Sequence, residues 1–238
     1  MKRWCIYIDI EGFGVLYEKE DHVLQSLGVL AEGILWIGQR CFPETPDRLF
    51  AHQTGDGFAI VSEFWEKTLE RPLAIAVALM RHVAATGRFA RAAISEGDFA
   101  DISGCYPDSI RDAREENGRL RLGRGIMTLF PVIGTALIYA VRLIKNSPSG
   151  PLILVDFKNN ERISRDFIVH EAGEPSILSI DWIHSICRSV DVIAQHANLI
   201  RPTIEQLEGL LKTYCRREES PPPSHWVDGV RDFLGVAL

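Results

Sequence analysis

The sequence contains no closely spaced pair of cysteines. Its five cysteines are scattered over 238 residues, and none belongs to a Cys-x-x-Cys motif. This pattern argues against a disulfide framework and against a zinc site, both of which need paired or clustered thiols. A reducing cytoplasm is the simplest setting for such a chain, and we expect a cytoplasmic protein. The cysteines are Cys5, Cys41, Cys105, Cys187 and Cys215.

A long uncharged apolar run is also absent. The longest candidate, residues 125–141, is interrupted by Pro131 and by glycines, so we expect a buried strand-to-helix passage there and no membrane span. The N-terminal stretch MKRWCIYIDIEG has a short alternating apolar run that ends at Asp9 and Glu11, which is not the pattern of a signal peptide. We therefore expect a soluble protein.

Positive charge is in deficit. The formal net charge is −6, which argues against a broad nucleic-acid or membrane surface but leaves room for a local basic site. Hydrophobic residues make up 46% of the chain, enough for a substantial core. The arginine-rich stretch 107–124 also carries acidic residues, so we expect a solvated loop or hairpin arm.

The hydrophobic spacing alternates between strand-like and helix-like segments. We predict strands at 3–10 and 89–95, a hairpin of 48–54 with 58–63, helices at 20–41 and 65–86, a helix from Pro131 to about Asn146, and a strand at 152–156. This β-α-β-β-α-β order, followed by an arm and an α-β unit, predicts an α/β (α+β) fold. We expect a ferredoxin-like palm sheet with helices packed on one face.

The sequence pattern changes after residue 156 and becomes mainly helical. One predicted strand, DFIVHE, precedes helical patterns at 180–198 and 203–216, and a proline run leads to a short terminal helix at 225–235. We therefore divide the chain into a catalytic domain, 1–156, and a helical C-terminal extension packed on it, 157–238.

Two carboxylates occupy positions that suit a metal site. Asp9 closes the first strand and Asp56 lies between two glycines in the hairpin turn, so in a palm-like sheet they meet at one edge. Magnesium and manganese prefer oxygen ligands from a few carboxylates together with substrate phosphates. Each residue alone is explained as well by strand termination or by Asp-Gly turn chemistry. Together, and in this order of elements, they favour a two-metal phosphoryl-transfer site.

Four short segments resemble the class III nucleotidyl cyclases over roughly residues 4–156. They are IDIEGFG at 8–14, TGDGF at 54–58, RAAISEG at 91–97 and GTALIYAVRL at 134–143. The resemblance implies that Asp9, the carbonyl of Ile10 and Asp56 bind two divalent cations, Mn²⁺ or Mg²⁺, and that Arg142 stabilises the transferring phosphoryl group. It also implies a head-to-tail homodimer with active sites shared between the chains.

The departures from the family pattern indicate the base. A purine-reading lysine is replaced by Phe50, a polar reader on the helix side by Pro131, and the helix asparagine by Ile138. A site without polar readers gains little specificity for a purine, while an aromatic side chain can stack on a smaller ring. We predict that Phe50 contacts the base of the substrate.

One subgroup of the family matches this description. The stretch from 121 to 156 and the tail motifs IDWIHSI and HW resemble the Pycsar pyrimidine cyclases of bacterial antiphage defence. The resemblance implies a cyclase that makes cyclic UMP, or cyclic CMP, for a separate cyclic-nucleotide-responsive effector. UTP is favoured over CTP by resemblance alone.

Two other readings remain open from the residues. A degenerate cyclase domain that binds a nucleotide or a protein without turnover is suggested by the missing asparagine and lysine. A diguanylate-cyclase-like enzyme requires a different turn motif, which TGDGF does not supply. Glu11 is weighed as a neighbour of the metal ligands and His52 as a base or ribose contact. Arg91 and Tyr139 are expected to be packing and sheet-edge residues, and Trp182 and Trp226 to anchor helices.

Overall fold

The computed structural model describes residues 2–13, 22–115, 118–172, 176–217 and 221–237. Gly14 of the first cyclase-like segment and residues 116–117 of the arm lie outside them. The strands are β1 (Arg3–Ile10), β2 (Leu49–Thr54), β3 (Gly57–Ser62), β4 (Ala90–Gly97), β5 (Ala100–Asp101), β6 (Arg119–Leu122), β7 (Gly125–Thr128), β8 (Val132–Ile133), β9 (Ile153–Asp156), β10 (Ile168–Glu171) and β11 (Ile177–Asp181). The helices are α1 (His22–Cys41), α2 (Glu70–Ala84), α3 (Asp108–Asp112), α4 (Thr135–Lys145), α5 (Arg188–His196), α6 (Ile204–Cys215) and α7 (Ser224–Leu234), with 3₁₀ turns at Ser103–Cys105 and Phe157–Arg162.

The first four strands form a ferredoxin-like unit. Their spatial order is β4-β1-β3-β2, each neighbouring pair is antiparallel, and α1 and α2 are the two crossovers. This is the order that β-α-β-β-α-β connectivity gives when both crossovers lie on one side of the sheet. The mixed α/β fold predicted from the sequence is confirmed.

The C-terminal part extends the same sheet. Strand β9 pairs parallel to β4, and β11 and β10 then add antiparallel neighbours, giving seven strands in the order β10-β11-β9-β4-β1-β3-β2. The predicted terminal helices are present as α5, α6 and α7. The extension therefore supplies two strands to the central sheet as well as the helices that flank it.

Alternation along β1 separates the two faces of the sheet. Trp4, Ile6, Ile8 and Ile10 are buried in the main hydrophobic core together with residues of α1 and α2. Burial of each such side chain contributes roughly 1.5–3 kcal/mol of transfer free energy. The intervening residues of β1 point to the opposite face, where Cys5 packs with Val61 of β3 and Ala136 of α4. This second face carries Asp9.

Two local predictions differ from the structure. Pro131 does not begin a helix, because Val132–Ile133 pairs as β8 with Ala100–Asp101 and α4 starts only at Thr135. The start of the predicted helix 180–198 is the end of strand β11, and α5 begins at Arg188. The five cysteines are free. Among the described helices, none has both the length and the apolar character needed to cross a bilayer.

Candidate active site

The two predicted metal ligands lie at the same corner of the sheet. Asp9 is near the end of β1, where its backbone register pairs it with Gly57 of β3 on one side and Arg91 of β4 on the other. Asp56 immediately precedes Gly57 in the turn between β2 and β3. The close approach of β1 and β3 depends on Gly57, since a Cβ there would lie 2.7 Å from Tyr7 Oη and 3.1 Å from Asp9 Cβ.

The corner concentrates negative charge in a partly buried place. Burial raises the pKa of Asp9 to about 7, with further contributions from the nearby carboxylates of Glu11 and Asp56 and an opposing one from Arg91. The pKa of Glu11 is also raised, chiefly by burial. When a carboxylate is costly to ionise beside a second carboxylate, a cation bound between them stabilises its ionised form the most.

The carbonyl of Ile10 points to the same corner. Glu11 donates its backbone amide to the carbonyl of Phe89 at 2.9 Å, on the β4 side. Because the amide and carbonyl groups of successive strand residues point to opposite neighbours, those of Ile10 point towards the hairpin that carries Asp56. Asp9, Ile10 and Asp56 thus supply two carboxylates and one carbonyl, an all-oxygen donor set of the kind that Mg²⁺ and Mn²⁺ accept.

A third carboxylate at the corner is already engaged. Trp226 Nε1 of α7 donates to Glu11 Oε2 at 3.0 Å, and Arg91 Nη1 lies 3.6 Å from Glu11 Oε1. Arg91 is in turn held by Ser147 Oγ and the carbonyl of Pro148, each at 2.6 Å from Nη2. Among the described residues, no group of three or more histidine, cysteine, aspartate or glutamate side chains is arranged to hold a metal ion. The candidate donors at the corner are the carboxylates of Asp9 and Asp56 and the carbonyl of Ile10.

Arg142 lies in a separate cleft on α4. Its guanidinium carbon is 6.0 Å from the ring centroid of Tyr139, and Lys158 Nζ lies 5.7 Å from the same ring. The cleft has a volume of about 220 Å³ and is bounded on the β4 side by Ser95 and Glu96. It combines two positive side chains with an exposed aromatic ring.

This cleft and the carboxylate corner are separated along the sheet. Glu96 pairs with Trp4, five residues before Asp9 on β1, which corresponds to roughly 17 Å of strand. Among the described residues, no hydrogen bond or ion pair joins Arg142 to Asp9 or Asp56. A single chain does not bring the predicted arginine to the predicted metal ligands.

Phe50 also lies away from the corner. It pairs with Val61 on β3, which pairs with Cys5, so three residues of β1 lie between its row and that of Asp9. The half-buried ring is covered by Arg48, whose guanidinium carbon is 5.2 Å from the centroid. His52, two residues nearer the turn, lies 5.9 Å from the ring of Phe99 and 5.6 Å from that of Phe130. These residues line the same face of the sheet as Asp9.

The network behind the corner was not predicted from the sequence. Trp226 was expected to anchor its helix, and it is buried against Tyr214; Arg91 was expected to be a packing or sheet-edge residue. Both side chains also contact Glu11. Trp226 is 215 residues from Glu11 in the chain, and no local pattern reports a pairing over that distance. Lys158 was not singled out, and it follows the predicted strand at 152–156 without any motif of its own.

No model of a known protein family matches the chain, and neither does any curated protein. Two solved structures, each of a bacterial light-regulated adenylyl cyclase, align with it at 12% identity. One has a TM-score of 0.43 over 83% of this chain and 56% of its own; the other has 0.41 over 82% and 55%. The chain therefore spans little more than half the length of those structures. The fold assignment rests on the strand order and registers of the chain itself.

Proposed function

We propose that the protein is a nucleotidyl cyclase that converts UTP, or CTP, to the 3′,5′-cyclic nucleotide and diphosphate. The observation that carries the proposal is the meeting of Asp9 and Asp56 at one corner of a ferredoxin-like sheet, with the pKa of Asp9 raised to about 7 partly by the neighbouring carboxylates. A structural turn aspartate has no need of a second carboxylate at its side.

The corner suits divalent cations that take most of their ligands from a substrate. Asp9, Asp56 and the carbonyl of Ile10 would hold two ions, Mn²⁺ or Mg²⁺, and leave coordination positions for phosphate oxygens. When bound, such cations lower the pKa of the ribose 3′-hydroxyl and neutralise charge on the triphosphate. Glu11 is already engaged by Trp226 and Arg91, so substrate phosphates would complete the coordination.

Arg142 would act on the phosphate that is attacked. As the 3′-oxygen bonds to the α-phosphorus and diphosphate leaves, negative charge develops on the α-phosphate oxygens and the leaving group. A positioned guanidinium beside those oxygens lowers the barrier, and a single arginine can be worth orders of magnitude in rate. Lys158, now paired with Asp156 at 2.6 Å, adds a second positive charge at the mouth of the same cleft.

Two chains would complete one site. The distance between the Arg142 cleft and the carboxylate corner is explained if each active site takes its carboxylates from one chain and its arginine from the other. Exposed apolar side chains on the β6–β7 hairpin, the segment after it and α4 suit a second copy of the chain, since such surface on a monomer is costly. They are Leu122, Ile126, Phe130, Ile133, Ile138 and Tyr139.

A pyrimidine substrate is supported by what the site lacks. Phe50 and Pro131 stand where purine-reading cyclases of this family have polar groups, and the aromatic cluster of His52, Phe99 and Phe130 offers flat apolar surface. Aromatic faces stack on any base, but only polar side chains that hydrogen-bond the edge of a purine give specificity for it. UTP is preferred over CTP on resemblance. The product would act as a second messenger in antiphage defence through a separate effector, either a membrane protein or an NAD-degrading enzyme.

A second candidate function is nucleotide binding without turnover. It is favoured by Ile138, a half-exposed apolar residue at the position of the family's helix asparagine. Against it stands the retention of Asp9, Asp56 and Arg142 together, because a binding module needs no phosphoryl-stabilising arginine.

One experiment separates these functions. The full-length protein is incubated with ATP, GTP, CTP and UTP, each with Mn²⁺, and the nucleotide products are identified by mass spectrometry. We expect cyclic UMP, or cyclic CMP, with stoichiometric diphosphate, and none from the Asp9→Ala variant. Binding of a triphosphate without any cyclic product would favour the binding module, and a purine product would refute the choice of base.

A further inference from the structure

The C-terminal helix α7 reaches the carboxylate corner through one side chain. Trp226 is 4% exposed, and its indole N–H donates to Glu11 Oε2 at 3.0 Å. Glu11 follows Ile10 directly, so the bond fixes the backbone at the point where β1 delivers Asp9 and the Ile10 carbonyl. A helix that begins more than 200 residues later in the chain thus contacts the segment that would bind metal.

The indole ring itself is locked by aromatic packing. Its centroid lies 5.1 Å from that of Tyr214 on α6 and 6.0 Å from that of Phe89, the residue before β4. Phe89 also accepts the backbone amide of Glu11 at 2.9 Å. Trp226, Phe89 and Glu11 therefore form a closed set of contacts, and movement of the indole would be transmitted to Glu11.

A close backbone contact locks α7 to the segment that holds Arg91. A Cβ at Gly229 of α7 would lie 2.0 Å from the carbonyl oxygen of Ser149, so the helix packs there with no room for a side chain. The neighbouring residues Ser147 and Pro148 are the ones that accept from Arg91. Both partners of Glu11, the indole and the guanidinium, are thus positioned by α7 and the segment it packs on.

We propose that Trp226 is a positioning residue of the metal corner: its N–H, together with Arg91, occupies both oxygens of Glu11 and so fixes the strand end that presents Asp9 and Ile10. Glu11 then holds the strand end in place and does not bind metal. Helix α7 is therefore part of the catalytic unit. This inference rests on the proposed function, because it assigns a supporting role at the same corner.

Trp226→Phe tests the role of the N–H. The change keeps a six-membered aromatic ring against Phe89 and Tyr214, removes the donor and leaves the charge of the corner unaltered. Loss of a group that hydrogen-bonds a metal ligand directly typically lowers metal affinity by about 10–100-fold. Trp226 acts one residue further out, through Glu11, so we expect a loss at the lower end of that range, about 10-fold. The readout is Mn²⁺ binding to the full-length protein, followed by the electron paramagnetic resonance signal of free Mn²⁺, with Mn²⁺ as the only added ligand.

Trp4→Phe is the matched control. Trp4 is equally buried and donates its own indole N–H to a glutamate, Glu66 Oε2, at 2.8 Å, but it lies near the opposite end of β1 from Asp9. Both variants should lose similar thermal stability, and only Trp226→Phe should lose Mn²⁺ affinity. In turnover assays Trp226→Phe should raise the half-saturating Mn²⁺ concentration much more than the KM for the nucleotide.

A second pair of variants does not depend on the folding of Trp226→Phe. Glu11→Ala and Glu11→Gln make the same change in charge, but a glutamine oxygen still accepts the indole N–H. Glu11→Gln should therefore bind Mn²⁺ several-fold more tightly than Glu11→Ala, and equal affinities would contradict the proposal. Unchanged Mn²⁺ binding by folded Trp226→Phe would overturn the proposal as well, since the N–H would then have no positioning role. Tighter binding would also overturn it, since a freed Glu11 would then be acting as a ligand.

Mn²⁺ binding by Asp56→Ala shows whether the positioning role alone is wrong or the proposed function as well. If Asp56→Ala loses Mn²⁺ binding while Trp226→Phe keeps it, the corner binds metal and only the positioning role is wrong. If Asp56→Ala binds Mn²⁺ as the wild type does, the metal corner itself is wrong, and the proposed function falls with it.

Discussion

Replacement of Gly57 by alanine tests whether the corner is built as tightly as the structure indicates. The added Cβ would lie 2.7 Å from Tyr7 Oη, 2.9 Å from Tyr7 Cζ and 3.1 Å from Asp9 Cβ. Carbon atoms in contact prefer about 3.5–4.0 Å, so both neighbours must move by several tenths of an ångström. The tyrosine ring and Asp9, the proposed metal ligand, would be displaced together.

The expected size of the effect follows from these contacts. Overpacking of a buried position costs about 1–3 kcal/mol, while replacing glycine by alanine recovers about 0.4–1 kcal/mol through the unfolded chain. The net loss of roughly 1–2 kcal/mol corresponds to a fall in Tm of about 2–8 °C for a protein of this size. Activity should fall more steeply, by roughly 10-fold, because a 1 Å misplacement at a reacting centre can cost about 100-fold and the displacement here is several tenths of an ångström.

Thermal unfolding and initial rates are measured side by side for Gly57→Ala and for a control, Gly209→Ala. Gly209 lies in α6 with no atom within 4 Å of an added Cβ, so this variant should lose nothing and gain up to about 1 kcal/mol. Tyr7→Phe removes the shortest contact and should partly restore the stability of Gly57→Ala. Wild-type stability and rate in Gly57→Ala would refute the close packing, and a loss of stability alone would show that Asp9 is not disturbed.

Three further predictions concern ligands, base and pH. Asp9→Ala and Asp56→Ala should each abolish cyclisation with the fold intact by circular dichroism, and near-normal turnover with Mn²⁺ in either would refute the two-metal assignment. Phe50→Ala should lower kcat/KM for UTP or CTP by about 1–3 kcal/mol of lost stacking without giving efficient ATP or GTP cyclisation; unchanged ratios over the four triphosphates would place the base elsewhere. Burial lowers the pKa of His184, but its hydrogen bonds to Asp181 and Glu208 outweigh this and hold the pKa above its usual value, with Lys212 the other charge beside Glu208. The folded state thus binds the proton of His184 more tightly than the unfolded state does. The stability gained from this proton is complete below about pH 6.5 and is lost as pH rises through the folded-state pKa. His184→Gln should therefore flatten that part of the profile of Tm against pH.

The fold was predictable where the sequence carries a clear period. Alternation in RWCIYIDI and the Asp-Gly turn specify β1 and the β2–β3 hairpin, and β1–β3 pairing then brings Asp9 next to Gly57. The predicted helix 180–198 includes the last two residues of strand β11, Ile180 and Asp181, because a short apolar run at the end of a strand suits a helix as well. Pro131 suits a helix start in isolation, but pairing of β8 with β5 overrides that preference.

The site was predictable only in part, for a related reason. Asp9 and Asp56 meet through neighbouring strands whose register the local pattern determines. The contact of Glu11 with Trp226 depends on how α7 docks after the sheet has formed, and no local pattern specifies docking. The proposed sharing of one site between two chains was implied only by the family resemblance, because packing between surfaces is not encoded in periodicity.

In the proposed enzyme, one active site combines the carboxylates of one chain with Arg142 of another. Asp56→Ala and Arg142→Ala, each inactive alone, are purified separately, mixed under conditions where subunit exchange is verified by a size or label shift, and assayed for cyclisation of UTP and CTP with Mn²⁺. A mixed dimer keeps one of its two sites with both intact residues, and at equal mixing half the dimers are mixed. We therefore expect recovery of up to about one quarter of wild-type activity. No recovery despite demonstrated exchange would contradict the shared site and would require each chain to carry a complete one.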